Sequence, residues 1–354
     1  MIGNNILRVG YVPISSNFNS PGDKRRFVYY ANRRNIKFEI AHPSKSYDLV
    51  VITQNSDISI WKDYDKGRAK IVYDFIDSYL AISRNNIKGR LRGLAKYISG
   101  QSRHLILDHW KAIGDMCSRA DAVVCSTEEQ RSDILEFCPN VHIVLDAHMS
   151  VASNIKSDYS AHSPFKLVWE GLPQNIASLN SIVPAINELG EKKSIELHIV
   201  TDAVYNRYLG KYWKTNTVDV AKKIYKHIVF REWDERNCAE IICSCDLGVI
   251  PLNPSDPFSA GKPENKLLLL WRMGMPVVTA ASPAYIRAMN AAGMNYTARD
   301  DGDWIAVLSE LIDNHDARRS AGNLGRNYVE SKFSEKNLMA QWDKVFETCG
   351  LSFS

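Results

Sequence analysis

Residues Ile250–Ser282 read I-P-L-N-P-S-D-P-F-S-A-G-K-P-E-N-K-L-L-L-L-W-R-M-G-M-P-V-V-T-A-A-S. An apolar strand ending near Leu247–Leu252 runs into a loop rich in Pro, Ser and Gly. A helix is predicted over Pro263–Met273, and Pro276–Thr279 opens the next strand. Pro263 suits a first helical position, where its missing N–H costs nothing. Gly274 suits the left-handed residue that closes a helix, with a proline shortly beyond. Leu267–Trp271 is apolar on every side, which predicts a buried helix. Polar chemistry is confined to its amino end, at Ser259, Gly261, Lys262, Glu264, Asn265 and Lys266. Free backbone N–H groups, a positive dipole end and two lysines four apart make a seat for a phosphate. By themselves these residues more often describe a solvated helix start than a ligand site. Position favours the ligand: the loop follows the carboxyl end of an apolar strand, where open α/β sheets hold theirs.

Outward from this stretch the same alternation recurs. Leu7–Val12, Phe38–Ala41, Asp48–Thr53, Lys70–Phe75, Asp121–Ser126 and Val141–Leu145 read as strands. Asp23 is placed to cap a helix over Lys24–Asn35, and Thr127 one running to about Cys138. From Val151 to Pro164 the chain turns small and polar and reads as a linker. The pattern then restarts with strands at Lys166–Trp169, Glu196–Val200, His227–Arg231 and Asp246–Pro251. Helices are expected at Ser178–Leu189 and Asp234–Ser244. Strands alternating with helices at this spacing predict parallel sheets covered on both faces. The expected domains are 1–150 and 165–334, with a final helix from Glu335 onward free to pack back across the linker.

Composition bounds the function. The chain has 354 residues and a formal charge of +4, too mild to suggest nucleic acid. No long apolar run or basic-then-apolar leader stands out, so a cytoplasmic location is the expectation. The seven cysteines are odd in number and sit in apolar contexts, as free thiols do in a reducing compartment. Cys243-Ser-Cys245 lacks the second pair that zinc wants and reads as core packing. One segment is unbalanced. From Ser78 to Leu107 there is no acidic residue, while Arg84, Lys88, Arg90, Arg92, Lys96 and Arg103 alternate with Leu91, Leu94, Tyr97 and Ile98. Such a basic amphipathic helix is a solvated face, a contact for an anionic substrate, or, through residues 84–103, a contact for an anionic membrane surface.

The tandem α/β halves, P-L-x5-F-x2-G-K-x3-K-L-L in the central stretch and the G-x-P-V-V after it, resemble glycosyltransferases of the GT-B fold. The likeness is to the family 4-like group that builds bacterial surface polysaccharides. It implies an α/β architecture of two Rossmann-like domains facing a central cleft. It also implies a nucleotide-diphosphate sugar held mostly by the second domain and a saccharide acceptor, lipid-linked by expectation, held by the first. Carried onto this chain, the basic donor residues fall on Lys262 and Lys266, with Asn265 able to bond a phosphate or sugar hydroxyl. Cations and helix N–H groups would stabilise the departing diphosphate, so neither metal nor further cofactor is expected. The turn Glu170–Asn175 is expected to approach the phosphates by its backbone at Gly171, and Thr201, Asp202 and Arg231–Asp234 with Trp233 to meet the nucleobase and ribose. Retaining members often carry Glu-x7-Glu, but its positions here are Gly261 and Leu269. Retention is therefore only a lean.

In the first half, Gly22, Asp23, Arg25 and Arg26 form a second glycine-containing loop entering a helix, either a phosphate or acceptor loop or an ordinary capped helix. Asp74 and Asp77 stand at a strand end. In an inverting enzyme one would be the general base, and in a retaining one they would orient the acceptor. His148 is a hinge or donor candidate. Two rival functions share this pattern: a nucleotide-sugar 2-epimerase, and a non-catalytic scaffold of a polysaccharide assembly complex.

Overall fold

A computed structural model describes residues 7–83, 87–208, 212–253 and 255–353. The chain divides into two compact units: Met1–Ala147 with Glu335–Ser354, and His148–Ser334. The first is built on six parallel strands, β1 (Val9–Val12), β2 (Phe38–Ile40), β3 (Leu49–Thr53), β4 (Lys70–Asp74), β5 (Ala122–Cys125) and β6 (Val141–Ile143), in the order β2-β1-β3-β4-β5-β6. Every residue of β3 is buried, as expected of a strand covered on both faces. One face carries Val50, Ile52, Ile71, Tyr73, Val123 and Cys125 into an apolar core closed by Trp61, Ile113 and Met116. The other takes up helix Phe27–Arg33 and the final helix, Glu335–Thr348. That last helix belongs to the first unit although it follows the second in sequence. Trp342 and Phe346 meet Phe27 edge-on, Phe346 stacks on Tyr30, and Tyr30 and Arg34 both bond the Asp343 carboxylate.

The second unit has a six-stranded parallel sheet, β7 (Phe165–Glu170), β8 (Ile195–Thr201), β11 (Ile228–Glu232), β12 (Leu247–Ile250), β13 (Val277–Ala280) and β14 (Thr297–Ala298). Between β8 and β11 lies an antiparallel hairpin, β9 (Val204–Tyr208) and β10 (Tyr212–Asn216). The sheet order β11-β8-β7-β12-β13-β14 reverses between β7 and β12. That is the doubly wound order, whose reversal point opens a crevice at the carboxyl ends of the two strands that part there.

Several expected elements change shape. The helix awaited over Lys24–Asn35 is two pieces, Pro21–Lys24 and Phe27–Arg33, and Asp23 caps neither. The stretch awaited as helix Ser178–Leu189 is a 3-10 segment, Pro173–Ser181, followed by helix Val183–Gly190. The polar 151–164 stretch is anchored within the second unit: Lys156 is buried, and its ammonium bonds the carbonyls of Cys243 and Cys245 at 3.2 and 2.7 Å. Burial pulls that lysine's pKa down, against the nearby Asp246.

Helix Asn265–Arg272 is pressed onto helix His315–Lys332 at Gly325, where a Cβ would lie 2.4 Å from the Trp271 ring. Since Trp271 is fully buried and cannot move aside, Gly325→Ala is expected to cost roughly 1–3 kcal/mol and to lower the thermal midpoint by about 3–10 °C in a calorimetric scan.

Candidate functional site

At the reversal point, β7 ends at Glu170 and β12 at Ile250, and the stretch after β12 carries the lysines. Asp256 caps a short helix, Pro257–Ala260, by accepting from the Ser259 amide at 3.1 Å and its hydroxyl at 2.8 Å. The buried helix then starts at Asn265, so Pro263 precedes it. Glu264 holds the N-cap position without a side-chain cap bond. Gly274 closes the helix with φ of +72°, and its amide bonds the Trp271 carbonyl at 2.8 Å.

Lys266, in the first turn, crosses to the end of β7. Its ammonium donates to the Glu170 carbonyl at 2.6 Å and lies 5.0 Å above the centre of the Trp169 ring. Lys262 donates to the Asn175 side-chain oxygen at 3.3 Å. The structure thus brings Lys262, Lys266, Asn175 and Gly171 to one place. Gly171 is buried, and a Cβ there would sit 2.0 Å from the Lys266 ammonium and 2.8 Å from the Trp169 ring, so a side chain would displace the lysine head from this position. Asn265 and Lys266 are half-buried at the helix mouth. Two cations and a helix amino end at a sheet reversal can bind a di-anionic group.

The neighbouring strand ends behave differently. Thr201 is fully buried and its hydroxyl donates to the Gly171 carbonyl at 2.6 Å, so it braces β8 to the turn and offers no surface to a nucleobase. The Trp233 amide bonds the Thr201 carbonyl at 3.1 Å, and its ring is half-buried. Asp234 is gripped by the Arg236 guanidinium, which brings its pKa down to about 2. Asp202 goes the other way. Burial, then the charges of Glu232 and Glu170, push its carboxyl above the usual range.

In the first unit, two of the four loop candidates are committed to the fold. Asp23 is fully buried and accepts from the Tyr11 hydroxyl at 2.6 Å, the Ile14 and Ser15 amides at 2.8 and 2.9 Å, and the Ser15 hydroxyl at 2.9 Å. It ties down the polar loop before it, which explains why it caps no helix. Arg26 is fully buried too, with Nη2 and Nε on the Asp74 carboxylate at 2.7 to 3.0 Å and Nη1 on the Val144 carbonyl and Asp146. Neither Arg26 as a phosphate ligand nor Asp74 as an exposed base is compatible with that pair. Arg25 and Gly22 stay half-exposed, and a Cβ on Gly22 would meet Ile14 at 2.5 Å. Asp77 remains half-buried at the carboxyl end of β4. Gln54 clamps its loop, donating to the Asp77 carboxylate at 2.5 Å and accepting from the Ile76 and Asp77 amides. Gln54 is not among the residues expected from sequence, since a single polar residue after a strand carries no pattern. His148 is buried.

No protein-family model and no curated sequence matches this chain. Solved structures do. HepE of Anabaena, in complex with UDP and glucose, aligns with a TM-score of 0.67 at 10% identity, over 96% of this chain and 99% of that one. Two doubly wound parallel sheets in tandem, aligned end to end with such a structure, decide the architecture. The fold is GT-B. A second GT-B likeness is to TarM of S. aureus, with a TM-score of 0.57 at 11% identity over 84% of this chain; the chain spans about half of TarM's length, 54%. A putative UDP-N-acetylglucosamine 2-epimerase from Listeria monocytogenes aligns at 0.51 and 12% identity, over 96% of this chain and 97% of that one.

Proposed function

We propose that this GT-B chain is a glycosyltransferase that moves a sugar from a nucleoside diphosphate, uridine in the first instance, to a saccharide acceptor. The observation that carries the reading is the seat formed by Lys262, Lys266 and Gly171 at the reversal of the second sheet. As the bond from the anomeric carbon to the diphosphate breaks, negative charge grows on the departing oxygen. The two ammonium groups and the amides of helix Asn265–Arg272 would stabilise that charge. The charge balance needs no metal. UDP and glucose or N-acetylglucosamine occupy structures of similar fold, which supports uridine as the base to test first. With Asp74 held by Arg26, Asp77 is the carboxylate at that strand end left to meet an acceptor hydroxyl, as base or as orienting group.

The direct experiment is calorimetric titration with UDP and a panel of UDP-sugars, followed by incubation with saccharide acceptors. Saturable UDP binding and sugar transfer are expected, and no binding of any nucleoside diphosphate would end the reading. Gly171→Ala, which drives a methyl group into the Lys266 head, is expected to weaken UDP binding about tenfold.

One observation favours a second reading. Glu170 and Glu232 end β7 and β11, Asp202 follows β8 between them, and burial, then the charges of Glu232 and Glu170, raises the Asp202 pKa. An epimerase would need acid/base carboxylates of this kind near the sugar. Incubation with the sugar nucleotide alone separates the two: a transferase gives at most slow hydrolysis, an epimerase gives the epimer.

A further inference from the structure

Between Ile87 and Leu107 the chain carries Lys88, Arg90, Arg92, Lys96 and Arg103 and no carboxylate. It folds as helix Ile87–Ile98 followed by an irregular strap; Arg84 lies outside the described residues, as do the side chains of Lys88, Arg90 and Arg92. Helix and strap are pressed together at Gly93, where a Cβ would lie 1.9 Å from the Ile106 carbonyl oxygen. The strap is fixed from its other side. The Asp57 carboxylate accepts from the Arg103 amide at 2.7 Å and the Ser102 hydroxyl at 3.2 Å, and the Ser59 hydroxyl accepts from the His104 amide at 3.0 Å. Ile106 points inward and is 9% exposed, whereas Ile98 is 74% and Leu107 82% exposed. Leu94, Tyr97 and Leu105 are also exposed. Scattered apolar residues on a surface mean little, but here they lie on two segments locked in contact.

We propose that this face of the first unit docks on an anionic lipid bilayer. The exposed aliphatic side chains would enter the boundary between headgroups and acyl chains, Arg103 on the strap would meet the lipid phosphates, and the net positive charge of the run would draw the face to them. No helix among the described residues is long and apolar enough to cross a membrane, so attachment through this face is peripheral. Charge argues against a second copy as the occupant, because a two-fold contact would set these cations against the same cations. Nucleic acid would call for stacking rings, and most of the exposed apolar groups are aliphatic. The inference goes beyond the donor reading and does not depend on it.

The test is flotation of the full chain with vesicles of phosphatidylcholine containing roughly 30% phosphatidylglycerol, against pure phosphatidylcholine. Binding to the anionic vesicles alone is expected, weakening as salt is raised. Ile98→Glu and Leu107→Glu, at exposed positions where the fold should be unaffected, are each expected to weaken it about tenfold or more. An unchanged thermal midpoint would verify that they fold. Failure to float with anionic vesicles, equal flotation with neutral ones, or variants that float like the wild type would each overturn the proposal. So would a dimer in light scattering that Leu107→Glu dissociates, which would assign the face to a second copy.

Discussion

Lys266→Met is expected to weaken UDP binding by about 10- to 150-fold, the range set by losing a charge-assisted hydrogen bond worth roughly 1.5–3 kcal/mol. Methionine keeps the length and the apolar stem, so packing against Trp169 survives and only the cation is removed. Lys262→Met should lose a similar amount, and the double variant should show no saturable binding at millimolar nucleotide. The transfer rate should fall further than affinity does, because the charge on the diphosphate is greatest as the sugar leaves. Equal losses in kcat/KM and in affinity would mean that the lysines hold the ground state alone. Unchanged titration curves for both single variants would remove the phosphate seat altogether, while leaving the two sheets as described.

The seat was partly legible because its pieces obey local rules. An apolar run without alternation, such as Leu247–Ile250 or Val277–Ala280, is readable as a strand buried on both faces, and both are. Gly274 closing a helix before Pro276 is a local steric matter and appears with φ of +72°. What no local rule contains is the approach of Lys266 to the Glu170 carbonyl across 96 residues. That follows from the strand order, which places β7 beside β12. The hairpin at Val204–Asn216 lies outside the expected elements, although two aromatic-rich runs flank a glycine there, a pattern that marks hairpins. Tertiary bonding also overrode propensity. The helix awaited from Lys24 is broken because Asp23 and Arg26 turn inward, one to hold a loop and the other to meet Asp74. A D-K-R-R run looks the same in sequence whether its charges face water or the core.

That inward pair gives the second large effect. Arg26→Ala would leave the Asp74 carboxylate, 1% exposed, without its partner and the Val144 carbonyl without its donor. Removing one partner of a buried ion pair costs about 3–5 kcal/mol, and a loss of that size is expected in urea denaturation. Asp74→Asn should be destabilising in the same sense, since an amide presents a donor where the guanidinium needs an acceptor. Arg26→Met with Asp74→Leu should recover most of the loss, because both charges then leave the interior together. The cycle also settles the role of Asp74. A carboxylate that took the acceptor proton would give a stable Asp74→Asn variant with little transfer and no coupling to Arg26. Strong coupling in stability, with transfer restored in the double variant, is the outcome the geometry requires.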